Sequence, residues 1–157
     1  MGSPTPHALE VSSAVRTRVT FSETDAVGAV HHRCAVVWFE RAREAYFRER
    51  GVGVASYAAR GLYLAVRELT VRYDSFVSYD DELEIRVALT HLGRVALELS
   101  YRVDDLTTGA LALRGTTTMV AVEARPPSPV PVLGRIRFDR QPFVPLVIPR
   151  AALWGED

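Results

Sequence analysis

The stretch Arg33-Cys34-Ala35-Val36-Val37-Trp38-Phe39-Glu40-Arg41-Ala42-Arg43-Glu44-Ala45-Tyr46-Phe47-Arg48-Glu49-Arg50 decides the fold, because it is the one long segment of this 157-residue chain with helical periodicity. Cys34, Ala35, Trp38, Phe39, Ala42, Ala45 and Tyr46 share one broad apolar face, so the spacing predicts an amphipathic helix about 27 Å long at 1.5 Å per residue. Gly51 supplies the stop. Downstream the period changes to two. Leu83, Ile85, Val87 and Leu89 alternate with Glu82, Glu84, Arg86 and Thr90, which predicts a half-exposed strand. After His91-Leu92-Gly93-Arg94 the alternation resumes as Val95, Leu97, Leu99, Tyr101 and Val103, with Arg102 on the other face, so the two runs form a hairpin. A turn at Asp104 to Gly109 leads into a Thr-rich strand from Ala110 to Val122. Val15 to Phe21 and Leu62 to Tyr73 supply two more, the second with a phase slip at Arg67-Glu68 that suggests a bulge. A short helical turn fits Val54 to Arg60. One striped helix and a sheet with one apolar face must bury each other, which gives an α+β domain.

Composition bounds the rest. Nine prolines fall outside the run from His7 to Arg125, so residues 14–125 are expected to form the regular body, 1–13 a flexible tail and 126–157 a Pro-rich wrap. Phe138, Phe143 and Trp154 of the wrap are expected either to cover a pocket or to pack on the sheet. The 19 basic residues balance 19 acidic ones, which argues against a polyanionic partner such as nucleic acid. All of the basic residues are Arg, with Lys and Asn absent, a bias that matches GC-rich codons and says nothing of function. A lone Cys34, no apolar leader and no run of about 18 apolar residues predict a cytoplasmic protein with no membrane partner.

Chemistry concentrates between the first strand and the helix, in Ser22-Glu23-Thr24-Asp25-Ala26-Val27-Gly28-Ala29-Val30-His31-His32. An acid ahead of a helix start, followed by a glycine, lets backbone N–H groups approach a ligand and stabilise developing negative charge. Taken alone, Asp25 fits a turn or cap carboxylate better than a catalytic one, and His31 and His32 fit ordinary surface or partly buried histidines. Cys34 reads as packing, with a nucleophile paired to His32 as the rival. Glu23 reads as structural, and Glu40 is the reserve carboxylate if it faces the cleft. His7 and His91 have no metal-ligand spacing, so no metal site is expected.

The stretch from Glu23 to His32 resembles the aspartate loop of the hotdog-fold acyl-CoA thioesterases of the 4-hydroxybenzoyl-CoA and Tol-Pal-associated type. Phe39-Glu40-Arg41-Ala42-Arg43 resembles that family's central-helix signature, and Leu69 to Tyr73 and Asp80 to Ile85 resemble its second and third strands. The resemblance covers about Val15 to Val122. It implies a hotdog fold, a five-stranded, mainly antiparallel sheet wrapped around the helix from Arg33 to Arg50. It implies hydrolysis of an acyl-CoA, or acyl carrier protein, thioester without a cofactor, and a homodimer or homotetramer with sites at subunit interfaces. It makes Asp25 the carboxylate that activates water or attacks the thioester itself, and the amide of His32 the group that polarises the carbonyl, with the His32 imidazole a further candidate for proton transfer or substrate positioning. Gly28, Val30 and His31 become substrate-binding residues, and Arg94 a contact for nucleotide phosphates. Cys34-Ala35 stands where relatives carry Asn or Ser followed by Tyr, and His31 where many carry an aromatic residue. A hotdog enoyl-thioester hydratase and a non-catalytic acyl-CoA-binding protein are the rival functions.

Overall fold

The computed structural model describes residues 2–53, 58–59, 61–123, 132–135 and 140–156. Helix α1 (Pro6–Val11) and strand β1 (Ser13–Arg18) precede the long helix α2 (Cys34–Glu49). Strands β2 (Leu62–Tyr73), β3 (Glu82–Leu92), β4 (Ala96–Asp105), β5 (Leu111–Glu123) and β6 (Val132–Arg135) follow, then helix α3 (Arg150–Trp154). The helical turn expected over Val54 to Arg60 falls largely outside the described residues, as do the stretch 124–131 and Phe138.

The strand order is β1-β3-β4-β5-β2, every pair antiparallel, with β6 added on the end of β5. The sheet thus has a sixth strand beyond the five expected. The slip in β2 is a register shift between Val66 and Glu68, where the sequence pattern put it. Helix α2 starts at Cys34, one residue later than expected, since Arg33 is its N-cap, and Gly51 at φ 69° ends it. Strand β1 stops at Arg18 instead of reaching Phe21. Thr20 caps a 3-10 turn over Phe21–Glu23, whose Glu23 carboxylate returns to the Thr20 N–H at 2.8 Å, and this pulls Phe21 out of the sheet.

The inner face buries α2. Trp38, Phe39, Ala42 and Tyr46 pack with Leu83, Ile85, Val87, Leu97, Leu99 and Tyr101 in one core. Phe39 lies flat on Tyr101, ring centroids 4.2 Å apart and planes 7° apart. Gly115, the register partner of Tyr101, makes this approach possible, because a Cβ there would sit 2.4 Å from Phe39 Cε2.

The outer face departs from the half-exposed expectation. Arg86, Arg102, Arg114 and Arg72 are successive register partners on β3, β4, β5 and β2, a row of like charges that would repel unless neutralised. Glu84 takes Arg86 at 2.8 Å, Asp104 takes Arg102 at 2.8 Å, and Asp74 takes Arg114 at 2.8 Å and Arg72 at 3.1 Å. Arg102 and Arg114 are buried because both chain ends lie over them. Arg102 Nη1 donates to the Gly2 and Trp154 carbonyls at 2.7 and 2.8 Å, and the Trp154 indole donates to the Tyr101 carbonyl at 2.9 Å. The stretch 1–13, expected as a flexible tail, contains α1, whose Ala8 packs with Ala88, Ile148 and Leu153. In the wrap, Trp154 packs on the sheet, and Phe143 enters the inner core edge-on to Phe47, centroids 6.2 Å apart. No helix among the described residues is long and apolar enough to cross a membrane.

Candidate active site

The loop between β1 and α2 is shaped by its own side chains. Asp25 Oδ1 accepts from the Val27 and Ala29 N–H groups at 2.9 and 3.2 Å, and the Asp25 N–H donates to the Ala29 carbonyl at 2.8 Å. This turn closes through Gly28 at φ 83°, a conformation that favours glycine. Asp25 Oδ2 accepts from no donor among the described residues. Val30 anchors the far side of the turn, its N–H donating to the Val77 carbonyl at 2.8 Å.

Glu23 braces the loop from beneath. Its carboxylate accepts from the Thr20 N–H and hydroxyl and, at 3.1 Å, from the Trp38 indole, and its carbonyl accepts from the His31 N–H at 2.8 Å. Burial opposes its ionisation, but the Thr20 amide, the Trp38 N–H and the Thr20 hydroxyl outweigh burial and hold its carboxyl below the usual range. Its structural reading fits this arrangement.

His31 and His32 form the turn into α2, their rings stacked at 4.3 Å. His31 Nδ1 accepts from the Arg33 N–H at 3.2 Å, and the His31 carbonyl accepts from the Cys34 N–H at 3.0 Å. The His32 carbonyl accepts from the Tyr73 hydroxyl at 2.8 Å. The His32 N–H itself donates to no group among the described residues. Cys34 is buried beside them, its thiol donating to the Glu23 carbonyl at 3.5 Å. Burial, and then the Glu23 charge, push that thiol up, which suits packing rather than nucleophilic attack.

Asp25, Val30, His31 and His32 open onto one cavity of about 370 Å³, with Ala35 and Trp38 of α2 and Leu113 of β5 along its wall. Tyr73 at the end of β2, Asp74 to Val77 after it, and Val27 and Ala29 of the loop also line it. The walls are mainly apolar, with polar groups at the helix start (Asp25, His31, His32) and after β2 (Asp74, Ser75), the make-up of a small-molecule pocket. Gly28 shapes the turn. Arg94 is not brought here: it lies in the β3–β4 turn beside Ala96, which pairs with Val120, whereas Leu113 of the cavity pairs with Val103. Seven residues of β5 separate the two places, roughly 23 Å along the strand. Glu40, the reserve carboxylate, lines a separate cavity of about 200 Å³ with Arg43 and Tyr63. Among the described residues no group of three or more His, Cys, Asp or Glu could hold a metal ion.

Tyr73, Phe76, Val77 and Leu113 are site residues that the sequence does not announce. They reach the cavity through strand pairing and the loop after β2, and no local pattern marks such distant partners.

The model of the thioesterase-like superfamily matches residues 19–137, which take in the aspartate loop, α2 and all of β2 to β5. The chain belongs to that superfamily. Among similar proteins, the acyl-CoA thioester hydrolase YbgC of Escherichia coli is 33% identical over 86 residues, which cover 55% of this chain and 64% of YbgC. The solved DHNA-CoA thioesterase of Staphylococcus aureus superposes with a TM-score of 0.71 at 25% identity, covering 85% of this chain and 84% of that one. A hypothetical protein of Aquifex aeolicus gives a TM-score of 0.65 at 30% identity, over 69% of this chain and 87% of its own. As a member of the thioesterase-like superfamily, the chain is a thioester hydrolase of hotdog fold.

Proposed function

We propose that the chain hydrolyses an acyl-CoA thioester at the cavity beside α2, in the manner of the 4-hydroxybenzoyl-CoA and Tol-Pal-associated enzymes. One observation carries this reading: Asp25 has one carboxylate oxygen held by two loop amides while the other is left without a donor among the described residues, at the mouth of an apolar cavity. The held oxygen fixes direction and the free one does the chemistry. Asp25 Oδ2 either takes a proton from a water that attacks the thioester carbonyl, or attacks that carbon and forms an anhydride that water then opens. In both routes the C–S bond breaks, its electron pair leaves on the CoA sulfur, and the acid is released. The carbonyl oxygen gains negative charge as attack proceeds, and the unpartnered His32 N–H at the helix entry is the donor that receives it. His31 and Val30 border the acyl group.

The test is thiol release from benzoyl-, phenylacetyl-, short-chain and long-chain acyl-CoA esters, by the native chain and by Asp25→Asn. The variant keeps an oxygen for the Val27 and Ala29 amides, so the fold survives, but it loses the basic oxygen. Its turnover is expected to fall by about 10²–10⁴-fold. Turnover within threefold of native would remove Asp25 from the mechanism.

A second copy of the chain belongs to this reading. Strand β2 is a sheet edge with Tyr63, Val66 and Tyr73 exposed, and Val27 and Phe76 at the cavity mouth are 85% and 87% exposed. A long open edge beside exposed apolar side chains is a surface that another chain covers.

A further inference from the structure

Tyr73 ends β2 and lines the cavity, but none of the chemistry above uses it. Its hydroxyl donates to the His32 carbonyl at 2.8 Å. That bond completes a set around the helix entry. The His31 N–H is held by the Glu23 carbonyl at 2.8 Å, the His31 carbonyl by the Cys34 N–H at 3.0 Å, and the Arg33 N–H by His31 Nδ1 at 3.2 Å. The peptide units on both sides of the His32 α-carbon are therefore pinned through their other polar atoms. The His32 N–H is left as the donor of this turn with no partner among the described residues. A planar peptide held in this way cannot turn away from a ligand, so its N–H is preorganised before substrate arrives.

Tyr73 rests on a rigid base. The next residue, Asp74, takes a two-pronged contact from the buried Arg114 at 2.8 and 2.9 Å, and its N–H donates to the Ala112 carbonyl at 2.8 Å. The Ser75 hydroxyl adds a bond to the Leu111 carbonyl at 2.8 Å. Burial, with the nearby Cys34 adding to it, pushes the Tyr73 hydroxyl up from its ordinary value, so it remains a protonated donor at neutral pH.

We propose that Tyr73 is a positioning residue for thioester hydrolysis: by holding the His32 carbonyl it fixes the helix-entry turn whose free His32 N–H receives the oxyanion. This rests on the role given to the His32 amide above.

Tyr73→Phe deletes one hydroxyl and keeps the ring. With an ester that the native chain turns over, kcat is expected to fall about tenfold, the rate equivalent of one net hydrogen bond, with KM within twofold. The melting temperature falls by no more than a few degrees, and the shape of the pH–rate profile stays as in the native chain. Amide hydrogen exchange at Arg33 and Cys34 becomes several-fold faster, because their acceptors lie on the turn that Tyr73 holds. A kcat within twofold of native, or unchanged exchange at both amides, would overturn the proposal. Loss of the basic limb of the profile would overturn it too, by making Tyr73 a proton donor. If the native chain turns over no thioester, the hydrolysis reading fails by itself. The exchange measurement still decides whether Tyr73 holds the turn.

Discussion

Gly115→Ala tests whether the contact between α2 and the sheet is as close as the structure has it. An added Cβ would lie 2.4 Å from Phe39 Cε2, 2.7 Å from Phe39 Cζ and 2.4 Å from the Thr70 carbonyl oxygen. Ordinary carbon contacts begin near 3.5 Å, so the ring must retreat by about 1 Å. It cannot do so alone, because it is stacked at 4.2 Å on Tyr101 and fully buried. The carbonyl on the other side belongs to the neighbouring strand and yields only if β2 shifts. Overpacking of this kind costs about 3 kcal/mol, and the lower chain entropy of unfolded Ala returns at most about 1 kcal/mol. The net loss of at least ~2 kcal/mol corresponds to a fall in melting temperature of roughly 4–8 °C for a chain of this length. Thermal and denaturant unfolding of Gly115→Ala, Phe39→Ala and the double variant would read it. Removing the ring relieves one of the two clashes, so the double variant should be less destabilised than the sum of the singles by about 1 kcal/mol or more. A melting temperature within 1 °C of native for Gly115→Ala, or strict additivity in the double variant, would refute the close approach of Phe39 to β5.

Asp81 is buried beside Asp105, and burial followed by the Asp105 carboxylate pushes its pKa up, although the Ser78 N–H donates to it at 2.8 Å. A carboxyl with a raised folded-state pKa gives most stability when protonated and loses it as pH rises through that pKa. Asp105→Asn keeps an acceptor for the Thr107 and Thr108 amides and removes one charge, so it is expected to raise the melting temperature at pH 7 and to lose that gain as pH falls through the raised Asp81 pKa and protonates its carboxyl. A gain that persists undiminished in acid would contradict the pairing. For the β2 edge, sedimentation at micromolar concentration is expected to show at least twice the 17.4 kDa chain mass, and Val66→Arg should lower it. A native monomer with full turnover would end the two-chain reading.

The elements with strong local patterns are legible in the sequence itself. Cys34 to Tyr46 carries a helical stripe, and α2 occupies Cys34–Glu49; Leu83 to Leu89 and Leu97 to Val103 alternate, and β3 and β4 form the expected hairpin. Each depends on periods of 3.6 or 2 residues, which a single segment expresses alone. The burial of Arg102 is not legible there, because it depends on Gly2 and Trp154, which meet over the sheet from opposite ends of the chain. Phe21 lies outside the strand its β propensity predicts, because the side-chain capping of Thr20 and Glu23 outweighs that propensity.

The candidate site divides in the same way. Asp25, Gly28, Val30, His31 and His32 are close neighbours in sequence, so an acid, a glycine turn and a helix start can be recognised together. By itself the sequence determined the helix, the alternating strands and the loop where the chemistry lies, since all three are properties of contiguous residues. Only the tertiary structure decided that Tyr73 reaches the His32 carbonyl across 41 residues, that Leu113 walls the same cavity and that Arg94 is left far from it. Those relations follow from strand register and from the packing of α2 on the sheet, where each residue's neighbours come from other parts of the chain.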